Sequence, residues 1–294
     1  MLHPLDLHFR GHTETIAAFL LETMEGPVLF ETGPHSTYPR LVEALAEKGY
    51  RPEDLSDVFL THIHLDHAGA DWALAEAGAT IHVHPKGAVH LHDPVRLWES
   101  AERIYGEEME ELWGNMESIP KEQIVQVDHE AQYRIGGKVV TAWHTPGHAV
   151  HHIAWQIGNE LIAGDVAGVK IGNGPVVPPC PPPDIQLEDW QRSIELLRNL
   201  GLARLWLTHF GMVRDVAAHL DELEGRLRRY ADWIYPHYRE QTPIDALTPL
   251  FQEMAEEDLR AHGVEAEGLI QYENANPAWM SVAGLLRYWR KKEN

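Results

Sequence analysis

The sequence predicts a layered α/β domain, two facing sheets with helices on their outer sides, followed by an all-helical extension. Three observations carry this expectation. Upstream of residue 85 short apolar strand signals alternate with helix signals. From Ile124 the hydrophobic period switches to two and a second strand-rich block begins. After Arg214 strand signals stop and only helix signals remain.

Residues 5–9 and 15–22 read as strands, and 28–31 as a third, stopped by Thr32-Gly33-Pro34. A helix is expected over 38–48, with Leu41, Val42 and Leu45 on one face and Gly49 as its stop. A strand at 58–61, a helix at 69–77 and a strand at 80–84 follow. His82 and His84 share a face of that last strand, but no carboxylate or further histidine follows at ligand spacing, so they are read as packing or surface groups, as are His90 and His92. Asp93-Pro94 then opens a helix that runs through Leu97, Trp98, Ile104, Tyr105, Leu112 and Trp113. This insertion, residues 86–120, either covers a site as a lid or packs on the domain flank or a second subunit.

The second block reads as strands at 124–127, 132–135, 138–144, 153–157 and 160–163, with Gly136-Gly137 and Gly158-Asn159 as turns. A helix at 187–200 and a strand at 203–207 close it. Between them, Pro178-Pro179-Cys180-Pro181-Pro182-Pro183 is a stiff, non-helical connector. The chain therefore divides into residues 1–214 and a helical extension, 215–294, with helices expected at 215–240, 245–262 and 277–291. Leu220, Leu223, Leu227, Trp233 and Ile234 of the extension need burial, and a homodimer through these helices or closure of a cleft would provide it.

A formal charge of -21 and the lack of a basic stripe argue against a nucleic-acid partner. No apolar run approaches the roughly 18 residues a membrane helix needs, so no membrane partner is expected. The first residues lack a basic leader with an apolar core, and the single cysteine, Cys180, fits a reducing compartment, so the expected location is cytoplasmic. Nothing near Cys180 lowers its pKa, which makes it a poor nucleophile. The partner left is a small-molecule substrate.

The chemistry concentrates in Thr61-His62-Ile63-His64-Leu65-Asp66-His67, directly after the apolar Val58-Phe59-Leu60. On an extended strand end His62 and His64 project to one face and can reach one cation. Asp66 and His67, displaced by the following turn, can hold a second. Neutral imidazole and carboxylate are the ligands that borderline divalent metals take. Downstream, His148 follows the Pro146-Gly147 turn, Asp165 ends the apolar Leu161-Ile162-Ala163, and His209 ends Leu205-Trp206-Leu207-Thr208. Each polar residue stands where an apolar strand stops.

These loci (H-x-H-x-D-H, then T-P-G-H, then G-D, then T-H-x-G) resemble the ligand set of the metallo-β-lactamase superfamily. The resemblance covers residues 1 to about 214. It implies an αββα four-layer sandwich of two mixed sheets. It also implies two divalent metal ions, one on His62, His64 and His148 and the other on Asp66, His67 and His209, with Asp165 bridging both. Zinc is the expected metal, with iron or manganese as alternatives. Asp66 and Asp165 are the expected catalytic carboxylates. Family members often carry an aspartate where this chain has Glu31-Thr32-Gly33, so Glu31 either orients a ligand imidazole or is a plain strand-end carboxylate.

The expected enzyme is a dinuclear hydrolase, similar to the glyoxalase II branch, whose metal-bridging hydroxide attacks an ester or thioester carbonyl. A lactonase and an iron-dependent persulfide dioxygenase are the alternatives, and a non-catalytic metal-stabilised scaffold is the third.

Overall fold

The first sheet places β1 (Leu2–Asp6), β2 (Ala17–Thr23), β3 (Gly26–Phe30), β4 (Asp57–Phe59), β5 (Thr80–Val83) and β6 (Ile124–Gln126) side by side in chain order. These assignments come from a computed structural model that describes residues 1–293, and Asn294, the last residue of the expected extension, lies outside them. The β1–β2 and β2–β3 pairs are antiparallel and the β3–β4, β4–β5 and β5–β6 pairs are parallel. The second sheet holds β7 (Gln132–Ile135), β8 (Lys138–His144), β9 (Ile153–Ile157), β10 (Glu160–Ile162), β11 (Arg204–Leu207) and β12 (Gly211–Val213). Only its β10–β11 pair is parallel. Both sheets are mixed, as expected.

Residue parity shows the layering. Along β2, Ala17, Phe19 and Leu21 join a core with Val140, Ala142, Ile153 and Trp155 of the second sheet, while Ala18 and Leu20 join a different core on the outer face. A strand buried on both sides has no polar face, which explains its unbroken apolar run. The outer core of the first sheet packs under α1 (Tyr38–Glu47), α2 (Leu65–Ala68), α3 (Asp71–Glu76), α4 (Pro85–His92), α5 (Val95–Tyr105) and α6 (Met109–Trp113). The outer core of the second packs under α7 (Leu187–Asn199) and α8 (Val216–Glu240), with α9 (Ile244–Ala261) and α11 (Ala278–Glu293) beyond. Between them, α10 (Ala266–Ala275) lies against a separate small cluster containing Val169, Ile171 and Tyr272. The order helix, sheet, sheet, helix is the αββα sandwich.

Four elements depart from the expectation. The first strand covers residues 2–6 rather than 5–9, because His8 and Arg10 adopt positive φ and turn the chain out of the sheet. Helix α4 was hidden by its polar, histidine-rich sequence; it starts on Pro85 with the His84 ring accepting from the Lys86 amide. Helix α10 and strand β12 were too short to register as periodic signals. No helix among the described residues is long and apolar enough to cross a membrane. Leu220, Leu223, Leu227 and Ile234 are 0 % exposed within the single chain, so their burial needs no second copy.

Candidate metal centre

Strand β4 ends at Phe59, so the heptapeptide leaves the sheet earlier than expected and its first two histidines stand on a loop. That loop is fixed from three sides. The Thr61 amide donates to Glu31 Oε1 at 3.0 Å, the Ile153 amide donates to the Thr61 carbonyl at 2.7 Å, and the Trp155 indole donates to the Leu60 carbonyl at 3.0 Å. His62 Nε2 lies 2.9 Å from His64 Nδ1, which lies 3.0 Å from His148 Nε2. Helix α2 then presents Asp66 and His67. Asp66 Oδ2, His67 Nε2 and His209 Nε2 form a second group, with separations of 3.5, 3.3 and 3.3 Å.

Asp165 stands between the two. Its Oδ1 is 3.3 Å from His67 Nε2 and 3.5 Å from His209 Nε2, and its Oδ2 is 3.4 Å from His148 Nε2. The fold thus brings together all seven side chains singled out in the sequence, in clusters of ligand atoms that lie within 4.8 Å of one another.

Two glycines make the approach possible. Gly147, before His148, has φ +139°, and a Cβ there would fall 2.3 Å from Trp190 Cα of α7. Gly164, before Asp165, has φ +53°, and a Cβ there would meet Thr61 Oγ1 at 2.6 Å. Only glycine takes both the backbone angle and the proximity.

Outer partners set the tautomers. His67 Nδ1 donates to Glu31 Oε2 at 2.9 Å, His148 Nδ1 to the Pro179 carbonyl at 2.9 Å and His209 Nδ1 to the Thr15 carbonyl at 2.8 Å. With protons held there, each Nε2 lone pair faces the centre. Glu31 therefore orients a centre histidine. It is wholly buried and serves Thr61 with its other oxygen.

Burial holds His62 and His148 below the usual imidazole range and lowers His64 to about 3, so these rings stay neutral and able to ligate. Burial opposes charge on His67 and His209 too, yet Asp66 and Asp165 raise both. The same attraction keeps the two carboxylates below their ordinary range against burial, and a bound cation would take the place of the proton it favours at each Nε2. Asp165 Oδ1 is buried with no hydrogen-bond partner. A buried carboxylate oxygen without a donor is costly, and a cation at that point would satisfy it. The nitrogen and oxygen donor set fits borderline divalent ions.

Two further histidines are tied to the scaffold. His82 Nε2 donates to Asp57 Oδ1 at 2.7 Å and its ring stacks on Phe59, and His152 bonds Thr145 Oγ1 at 2.8 Å. Burial raises the Cys180 thiol, as its poor nucleophile reading requires. Sequence reasoning offered the insertion as a lid and the extension as closing a cleft, and missed the loop around Phe9 and Arg10: that loop, α5 and α6, and the α10–α11 junction around Trp279 line one cavity with His64, Asp66 and Asp165. The insertion is therefore placed over the site. Nor does sequence reveal the carbonyls of Thr15 and Pro179, since every residue carries one.

This arrangement, polar ligand atoms gathered at the strand ends of an αββα sandwich, is a candidate metal centre. The model of the metallo-beta-lactamase superfamily matches residues 14–209, and the chain belongs to that superfamily. A metallo-beta-lactamase fold-containing protein of Sulfurisphaera tokodaii is 30% identical over 152 residues, covering 49% of this chain and 58% of that protein. An N-acyl homoserine lactonase of Bacillus thuringiensis is 25% identical over 177 residues, covering 52% of this chain and 64% of the lactonase. The chain spans less than two thirds of either relative's length. In fold, it is similar to the crystal structure of a metallo-beta-lactamase family protein from Thermus thermophilus, with TM-score 0.71, 21% identity and coverage of 99% and 94% of the two chains.

Proposed function

We propose that the protein is a dinuclear metal-dependent hydrolase of esters or thioesters. The observation that carries this reading is Asp165, whose two oxygens face different histidine groups. His62, His64 and His148 would hold one cation, Asp66, His67 and His209 the other, and Asp165 both. Two such ions supply Lewis acidity toward a carbonyl oxygen and lower the pKa of bound water toward neutrality. The chain's own contribution is preorganisation. Glu31, Thr15 and Pro179 fix the protons of His67, His209 and His148 at Nδ1, and the carboxylates of Asp66 and Asp165 offset the positive charge. In this reading residues 1–214 carry the chemistry and 215–294 complete the cleft. Zinc and a cytoplasmic location belong to the same reading.

A relative named an atrochrysone carboxyl ACP thioesterase, from Aspergillus fumigatus, supports thioester hydrolysis; it is 24% identical, covering 60% of this chain and 33% of its own. The N-acyl homoserine lactonase relatives give specific support to the alternative, opening of a cyclic ester by the same centre. Elemental analysis of protein purified without added metal, beside an ester, thioester and lactone panel on wild type and Asp165→Ala, tests the proposal. Two equivalents of metal and activity lost in the variant are expected. Iron with oxygen uptake on a persulfide would replace it by the dioxygenase alternative.

A further inference from the structure

We propose that the cavity above the centre receives an uncharged, apolar acyl group, which makes the substrate a neutral acyl thioester or ester rather than an anionic conjugate. This rests on the hydrolase reading above and names its substrate class. The cavity holds about 350 Å³ and includes His64, Asp66, His148 and Asp165 in its lining. That volume lies within the roughly 300 to 1,000 Å³ of small-molecule sites.

Its walls come from separate parts of the chain that meet only in the fold. One wall is aromatic: Trp113 stacks on Phe9 at 5.7 Å, and Tyr105 meets Trp113 edge-on at 5.1 Å and Trp279 at 5.9 Å. Ile16, Leu97, Ala101, Ile104 and the proline run add aliphatic surface. An acyl chain entering here leaves water for rings and methyl groups while its carbonyl remains at the polar end.

Charge argues against an anionic arm. Among the described residues lining the cavity Arg10 is the only lysine or arginine, and its Nη1 already donates to Asn274 Oδ1 at 3.1 Å. Glu108 lines the same wall, so the one guanidinium is matched by one carboxylate and no surplus cation remains for a ligand that carries two carboxylates. A thiol conjugate bearing two carboxylates, such as a glutathione thioester, lacks the counter-charge it would need.

The test uses full-length, metal-loaded protein and a series of N-acetylcysteamine thioesters with acetyl, butyryl, hexanoyl and succinyl groups. The expected kcat/KM rises about three- to fourfold per methylene over the short chains, and the succinyl ester falls below butyryl. Trp279→Ala removes most of the gain of hexanoyl over acetyl through KM, and Leu97→Trp, which fills the cavity, does the same. In parallel, hexanophenone is titrated against metal-free wild type and Trp279→Ala with tryptophan fluorescence as the readout. Saturable binding is expected in the wild type, weakened in the variant. Binding of hexanophenone without turnover of any ester, thioester or lactone overturns the hydrolase reading and leaves the acyl pocket standing. Turnover with no chain-length dependence, or with succinyl preferred, overturns the pocket.

Discussion

Gly284 of α11 lies directly against the carbonyl of Cys180, where a Cβ would fall 1.9 Å from the oxygen. The Cys180 amide donates to Ser281 Oγ one turn earlier on the same helix at 3.4 Å. Further along, Arg287 Nε and Lys291 Nζ both donate to the Pro183 carbonyl, at 3.2 and 2.8 Å. Helix α11 therefore grips the proline run at its middle and at its far end, and that run supplies the Pro179 carbonyl on which His148 Nδ1 rests. The C-terminal basic residues named here hold backbone rather than meeting an anion.

Gly284→Ala should consequently displace the run and loosen His148. We expect a loss of about 1 to 3 kcal/mol in stability from overpacking, and metal affinity reduced about tenfold to a hundredfold. Gly225→Ala is the contrast, since that glycine is exposed on α8 with nothing within 4 Å of its added Cβ. It should gain about 0.5 to 1 kcal/mol with unchanged metal affinity. Chemical denaturation and metal titration read both. Equal metal affinity in the two variants would refute the link from α11 to His148.

Glu31 reaches His67 across a position where a shorter aspartate was the familiar residue. Glu31→Gln keeps an acceptor for the Thr61 amide or for His67 but removes the charge that stabilises the imidazole proton. Metal content after dialysis against a chelator should fall, with affinity lower by about tenfold to a hundredfold. Full retention of metal would show that the carboxylate is only a strand-end anchor.

Removing metal should expose the repulsion among Asp66, Asp165 and the partnerless Asp165 Oδ1. Dialysis against dipicolinate is expected to abolish hydrolysis and lower Tm, and metal at about 100 times its Kd should restore about 2.7 kcal/mol per site. Asp165→Ala should show no such metal-dependent rise in calorimetry. A metal-independent Tm in the wild type would contradict a resident cation.

Glu273, at the end of α10, carries a carboxyl raised by burial to about 7 and meets the Ala278 amide at 3.3 Å. The folded state then holds a proton that the unfolded chain releases near the ordinary value of 4.5. Its contribution is complete below that value, declines as pH rises, and is gone above about 7. Glu273→Gln should match the wild type near pH 5 and be more stable near pH 8, by an amount on the order of 3 kcal/mol at most. Parallel urea titrations at the two pH values check the sign, and an equal difference at both would exclude this group as its source.

Much of this molecule is legible in its sequence because the physics involved is local. The period-two runs declare buried strands, Asp93-Pro94 immediately precedes α5, and every one of the seven side chains at the centre sits at or just past the end of an apolar run. The short elements were not legible. Helix α4 reads as scattered histidines, and β12 has three residues and no room for periodicity.

What tertiary structure alone decided is who shares a space. His148 and His64 are separated by 84 positions yet adjacent in the fold, which the resemblance in ligand order foreshadowed. The roof of the cavity was open between a lid and a flank in the sequence, and its side chains were not named there: Phe9, Trp113 and Trp279 carry no ligand chemistry and look like ordinary core aromatics until the chain is folded. The same holds for the carbonyls of Thr15 and Pro179, whose roles depend on position and not on side-chain identity. Sequence determined the donors because donor chemistry belongs to side chains. The cavity and the carbonyl supports belong to packing, and packing is settled only when distant segments meet.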